Sequence, residues 1–71
     1  MTNNENIANI ELMMTKLDEM IGKEKNVMKK SHLFVIRDHC YFAAACLRRE
    51  QNDRAGIHLE AAKTLLKRVG A

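Results

Sequence analysis

The sequence contains no proline and no tryptophan, and only three of its 71 residues are glycine. Because proline is absent and glycine is rare, nothing interrupts long helices, and folds made of short strands joined by tight turns are disfavoured. Two cysteines are too few for a disulfide framework. The longest apolar run, residues 41–47, is far shorter than the roughly 20 residues that a membrane-spanning helix needs. These absences favour an all-α protein.

The composition is that of an ordinary globular domain, with 46% hydrophobic and 30% charged residues. The first residues show no basic stretch followed by an apolar core, so we predict no secretory signal and a cytoplasmic protein with reduced thiols. A chain of this length forms one domain, residues 1–71. It buries only about 60% of its unfolded surface, so oligomerisation would help to stabilise it. The net charge of +3 permits an acidic partner without requiring one.

Apolar residues recur at heptad-like spacing through the first third of the chain. An apolar stripe of this width must be buried against another surface. In so small a protein that surface could be a second copy of the chain, so we predict a homodimer. The predicted self-association or partner stripe consists of Ile7, Ile10, Met14, Leu17, Ile21 and Met28, and it is widened by Met13, Met20 and Val27.

The pattern predicts three helices, over residues 4–29, 32–51 and 54–69. Ser31 and Asp53 are the predicted N-caps of the second and third helices. Gly22 either weakens the first helix or ends it early. Helices two and three are predicted to form an antiparallel hairpin, with helix one packed on it or on a partner chain.

Periodicity also predicts which residues are buried. On helix two the predicted core arc is Leu33, Ile36, Cys40, Ala43, Ala44 and Leu47, extended on one side by Val35, Phe42 and Cys46. On helix three it is Ala55, Leu59, Ala62, Leu66 and Val69. Leu12 and Ile57 fall outside these arcs, so they are expected to be exposed. Helix two also carries a polar wedge, in which Phe34 and Tyr41 lie among charged residues. The charged residues are Arg37, Asp38, Arg48 and Arg49.

The predicted hairpin resembles a single tetratricopeptide unit over residues 39–67. Ala43, Ala55 and Ala62 fall at the close-contact positions of that motif, and Leu59 falls at a large apolar one. The chain departs from the motif at His39 and Cys46, where large aromatic residues are expected. Such units need about three copies to bury a continuous core, so the resemblance implies a helix hairpin and carries no function.

Metal binding and cysteine catalysis are both disfavoured by the spacing. The possible metal ligands are His32, His39, Cys40, Cys46 and His58, but no two of them are three or four residues apart on one helix. Cys46 and His58 flank the hairpin turn and could face each other, but the chain offers no glycine-rich loop or evident oxyanion donors. We therefore predict no catalytic residues, no metal and no cofactor.

Two functions remain after these exclusions. Arg37, Arg48 and Arg49 share a wedge of helix two with Phe34 and Tyr41. This wedge is a possible face for an acidic protein partner, through pairing with carboxylates, or for nucleic acid, in which case the protein would be a small DNA- or RNA-binding regulator. The favoured alternative is a non-enzymatic accessory or regulatory protein, which acts through self-association and contact with another protein. The five methionines agree with an adaptable protein-binding surface. In size and composition the chain looks like the small accessory proteins of bacteriophages and mobile elements.

Overall fold

The computed structural model describes residues 3–70 and contains three α-helices. They are α1 (Asn3–Lys23), α2 (Val27–Arg48) and α3 (Asn52–Arg68). Both α1 and α3 pack on α2, whereas no Cα atom of α1 lies within 8 Å of one in α3 among these residues. The predicted all-α fold is confirmed, and helix one packs on α2 of its own chain.

The first turn lies earlier than predicted. α1 continues through Gly22 and ends at Lys23, so the predicted extension to residue 29 is wrong. Asn26, not Ser31, is the N-cap of α2, because its backbone is extended and its side-chain oxygen accepts a hydrogen bond from the Lys29 N–H at 3.0 Å. Val27 and Met28 therefore belong to α2 and not to the stripe on helix one.

The second turn is closed by backbone hydrogen bonds at the end of α2. The Gln51 N–H donates to the Cys46 carbonyl at 2.8 Å, and the Glu50 N–H donates to the Leu47 carbonyl at 3.0 Å. This is the Schellman arrangement, with Glu50 in the left-handed region at φ 59°. Consequently α2 ends at Arg48 rather than at residue 51. The N-cap position of α3 is Gln51, while Asp53 lies in its first turn.

The core lies between α2 and its two neighbours. All six residues of the predicted central arc of α2 are buried, and Ile36 and Cys40 are fully enclosed. On α3, Ala55 and Ala62 are buried, while Leu59, Leu66 and Val69 pack against the core. These core predictions are confirmed. Val35 and Phe42 were predicted to extend the arc, but they are exposed.

The molecule is elongated, with extents of 36 × 18 × 16 Å. The 22 residues of α2 account for the long axis, since a helix rises about 1.5 Å per residue. Within residues 3–70, no helix is both long enough and apolar enough to cross a membrane.

Candidate interaction surface

The most conspicuous surface of the molecule is an exposed apolar face on α2. We call it the α2 outer face. Val27 and Met28 are 77% and 72% exposed, and the other four residues are each about half exposed. Large contiguous apolar surfaces are uncommon on soluble monomers and usually mark sites of interaction. The face consists of Val27, Met28, Phe34, Val35, Tyr41 and Phe42.

These residues form three adjacent pairs that repeat every seven residues. At about 100° per residue, a repeat of seven brings side chains back to nearly the same side of a helix. The centre of the face then lies about 180° from the centre of the buried arc of α2. Ser31, Asp38 and Ala45 fall on the midline between the two columns of apolar side chains. α2 is therefore apolar on two opposite sides, of which its own chain covers one.

The apolar stripe predicted on helix one is covered within the chain. Ile10, Leu17 and Ile21 are buried in the core, and Ile7 and Met14 pack against it. α2 of the same molecule thus supplies the surface that the stripe requires. Met28, the last predicted member, lies on the α2 outer face instead.

Two of the three arginines predicted to face an acidic partner or nucleic acid form ion pairs with α1. Arg37 pairs with Asp18 through its Nε atom. Arg48 pairs with Glu11, with Nη2 2.6 Å from Oε1. All four side chains keep solvent access, at 35–56% exposure. Carboxylates of α1 therefore neutralise two of the three arginines of this wedge. Among residues 3–70, Arg49 is exposed and forms no such pair.

The structure joins two of the histidines across the hairpin. The Nδ1 atoms of His39 on α2 and His58 on α3 lie 3.0 Å apart, and both residues are partly buried. The ring of Phe42 lies against His58, with centroids 5.6 Å apart. Spacing rules within one helix could not find this pair, because its members come from different helices. Within residues 3–70, no hydrogen bond links Cys46 to His58, and no three potential ligands converge.

The two thiols differ in their surroundings. Both are free, with Cys40 buried and Cys46 half-buried. Burial raises the pKa of the Cys40 thiol above its usual value, because the thiolate is poorly solvated there. A raised pKa is the opposite of what a nucleophilic cysteine needs at neutral pH.

A groove of about 670 Å³ runs between α1 and α3, away from the α2 outer face. Ile10, Leu47 and Leu59 contribute apolar surface, and Asn6, Asn9 and Lys63 contribute polar surface. At one end Asn3 closes it, since its amide donates to the Asn52 side chain at 3.1 Å. The groove holds no cluster of catalytic or metal-ligating groups among the described residues.

Comparison with protein families, curated proteins and solved structures finds no match to this chain. The likeness of residues 39–67 to a tetratricopeptide unit thus remains a similarity in the spacing of small residues.

Proposed function

We propose that this chain is a non-enzymatic, self-associating protein whose α2 outer face binds the same face of a second copy. The dimer then serves as a small accessory or regulatory protein that acts by contacting other macromolecules. The observation that supports this proposal is the position of the six exposed apolar residues, directly opposite the core on the central helix. None of the six belongs to the core of its own chain.

The face is complementary to itself when two copies run antiparallel. In one antiparallel register, residues whose numbers add up to 69 lie opposite each other in the two copies. Every large apolar side chain of the face then meets another. Val27 then lies opposite Phe42, and Phe34 lies opposite Val35. Met28 similarly lies opposite Tyr41. An interface that maps onto itself in this way is what two-fold symmetry requires.

Asp38 selects the antiparallel orientation over the parallel one. It is exposed on the midline of the face. In a parallel pair the two Asp38 carboxylates would meet, and like charges in a desolvated interface are costly. In the antiparallel pair Asp38 lies opposite Ser31, whose hydroxyl can donate a hydrogen bond to the carboxylate.

The size of the face suits a dimer of moderate affinity. Its six side chains expose on the order of 500 Å² of apolar surface per copy, given the areas of aromatic and aliphatic side chains. Pairing would therefore bury on the order of 1,000 Å² in total, near the lower bound for a specific interface. We expect the dissociation constant of the dimer to lie in the micromolar range.

Analytical ultracentrifugation between about 1 and about 500 μM tests the proposal. The wild-type protein should approach twice its 8.1 kDa chain mass as the concentration rises. The double variant Phe34→Gln/Tyr41→Gln should stay monomeric, because it places polar groups at the centre of the interface. It should remain helical, since both side chains are exposed in the single chain.

Leu12→Gln/Ile57→Gln is the matched control. Leu12 and Ile57 are exposed apolar residues outside the face, at 56% and 69%, so this variant should dimerise like the wild type. A wild-type protein that is monomeric throughout would refute the proposal. So would a dimer that survives Phe34→Gln/Tyr41→Gln or is lost only in the control.

A further inference from the structure

The facing histidines of the α2–α3 hairpin form a pair of nitrogen ligands. We propose that His39 and His58 bind one divalent transition-metal ion of the Zn²⁺ type, through the Nδ1 atom of each ring. Neutral imidazole is a preferred ligand of Zn²⁺, Ni²⁺ and Cu²⁺. The site lies within one chain, so it does not depend on the proposed dimer.

The separation of the two nitrogens fits a shared ion. At a metal–nitrogen distance of about 2.0–2.1 Å, two ligands at 90–109° lie about 2.9–3.4 Å apart. The observed Nδ1–Nδ1 distance of 3.0 Å falls within that interval. The rings are inclined at 40° with centroids 5.3 Å apart, and they have to rotate out of their hydrogen-bonded orientation for both lone pairs to point at one ion.

The two rings are also held in place by their surroundings. His39 precedes Cys40, which is fully buried, so its backbone position is fixed by the core. His58 precedes Leu59, which packs against that core, and its ring lies against Phe42. Ligands on packed helices lose little freedom on binding, which favours a site with only two protein ligands.

The proton balance is simple. Without metal, one Nδ1 carries the hydrogen that the other accepts. Metal binding requires that ring to change tautomer: the proton leaves Nδ1 and solvent returns one to Nε2, so each ring then carries its hydrogen on Nε2 and the neutral pair releases no net proton. Water completes the coordination, since no third protein ligand converges on the pair among residues 3–70.

The test is a titration of the tag-free, reduced full chain with ZnCl₂ alone, followed by calorimetry and by ¹⁵N spectra of the imidazole rings. We expect one ion per chain, with the Nδ1 signals of His39 and His58 shifted and both Nε2 atoms protonated. His39→Gln and His58→Gln should each weaken binding by at least about tenfold. Circular dichroism checks that both variants remain folded.

Two matched variants test the other possible ligands that are not buried. His32→Gln changes an exposed histidine of the same helix, and Cys46→Ser removes the half-buried thiol. Both should bind Zn²⁺ as the wild type does. Binding that is lost in either variant, or is unaffected in the folded His39→Gln and His58→Gln proteins, would overturn the proposal. Absence of saturable binding up to about 1 mM would also overturn it.

Discussion

Arg48 and Glu11 form an ion pair that ties the last turn of α2 to the middle of α1, with Nη2 2.6 Å from Oε1. A second pair, between Arg37 and Asp18, ties the same two helices nearer the other end of their contact. The order of the partners is reversed along the two helices, as expected for antiparallel packing. The two pairs thus agree with the antiparallel register of α1 on α2, and their carboxylates occupy arginines that otherwise suggest a nucleic-acid surface.

The first prediction concerns the Arg48–Glu11 pair. Arg48→Glu should lower the free energy of unfolding by at most about 1 kcal/mol, because the pair is solvent-exposed and screened. The swapped variant Arg48→Glu/Glu11→Arg should recover most of that loss, since the pair is restored with reversed charges. Urea unfolding of the four proteins in the cycle measures the coupling. Purely additive effects would show that the two side chains do not interact in solution.

The second prediction concerns Glu50, whose backbone is left-handed at φ 59°. A side chain in this conformation costs roughly 1–2 kcal/mol, and glycine does not incur that cost. Glu50→Gly should therefore raise the free energy of unfolding, by about 0.5–1 kcal/mol after the greater chain entropy of glycine is counted. Gln51→Gly is the control and should destabilise the protein, because Gln51 has φ −92°. Thermal unfolding compares the melting temperature of each variant with that of the wild type. A lower melting temperature for Glu50→Gly would contradict the prediction.

The sequence predicts the core better than the turns. The spacing of apolar residues identifies the buried arc of α2, because the two flanking helices cover one side of it. It misplaces Val35 and Phe42, since apolar character alone does not say where the covered arc stops. It misses the turn before Asn26, because Met28 continues the heptad spacing of the first helix into the next one.

The surfaces depend on information that periodicity does not carry. The α2 outer face follows a repeat of seven. Periodicity nevertheless assigns Phe34 and Tyr41 to the polar wedge, and Val35 and Phe42 to the side of the core arc. Its exposure becomes clear only when both neighbours of α2 are placed. The pairing of His39 with His58 depends on the register of two helices, and that register is set by the turn at Glu50.

The third prediction concerns thiol reactivity. Cys40 should react with a thiol reagent at least about tenfold more slowly than Cys46 in the native protein, because it is buried and its pKa is raised. Its rate should rise with pH, since deprotonation requires a higher pH than for an exposed thiol. Labelling of Cys40→Ala and Cys46→Ala proteins assigns the two rates. Equal rates in the folded state, or faster reaction at Cys40, would contradict its burial.

The fourth prediction separates the two function classes proposed from the sequence. Labelled DNA and RNA should show no micromolar binding at about 50 mM salt, because carboxylates already pair with Arg37 and Arg48. The titration is repeated at about 200 mM salt and with Arg48→Ala/Arg49→Ala. Binding that is tight at low salt, falls steeply at high salt and disappears in the double variant would establish the nucleic-acid function instead.

The last prediction fixes the orientation of the proposed dimer. Ser31→Cys and Asp38→Cys proteins, prepared separately, should form a disulfide-linked species when they are mixed under mild oxidation. In the antiparallel pair residue 31 of one copy lies opposite residue 38 of the other. Residue 31 of one copy lies about 10 Å along the helix from residue 31 of the other, and the same offset separates the two residues 38. A disulfide requires Cα atoms no more than about 7 Å apart, so each variant alone should remain uncrosslinked.

Non-reducing electrophoresis and mass spectrometry identify the product, with the wild-type chain as control for its native cysteines. A parallel dimer would reverse the result, because each variant would then crosslink to itself. In that arrangement two Asp38 carboxylates meet at the centre of the interface. Crosslinking of the single variants, with none specific to the mixture, would therefore refute the antiparallel arrangement and the role assigned to the Ser31–Asp38 contact.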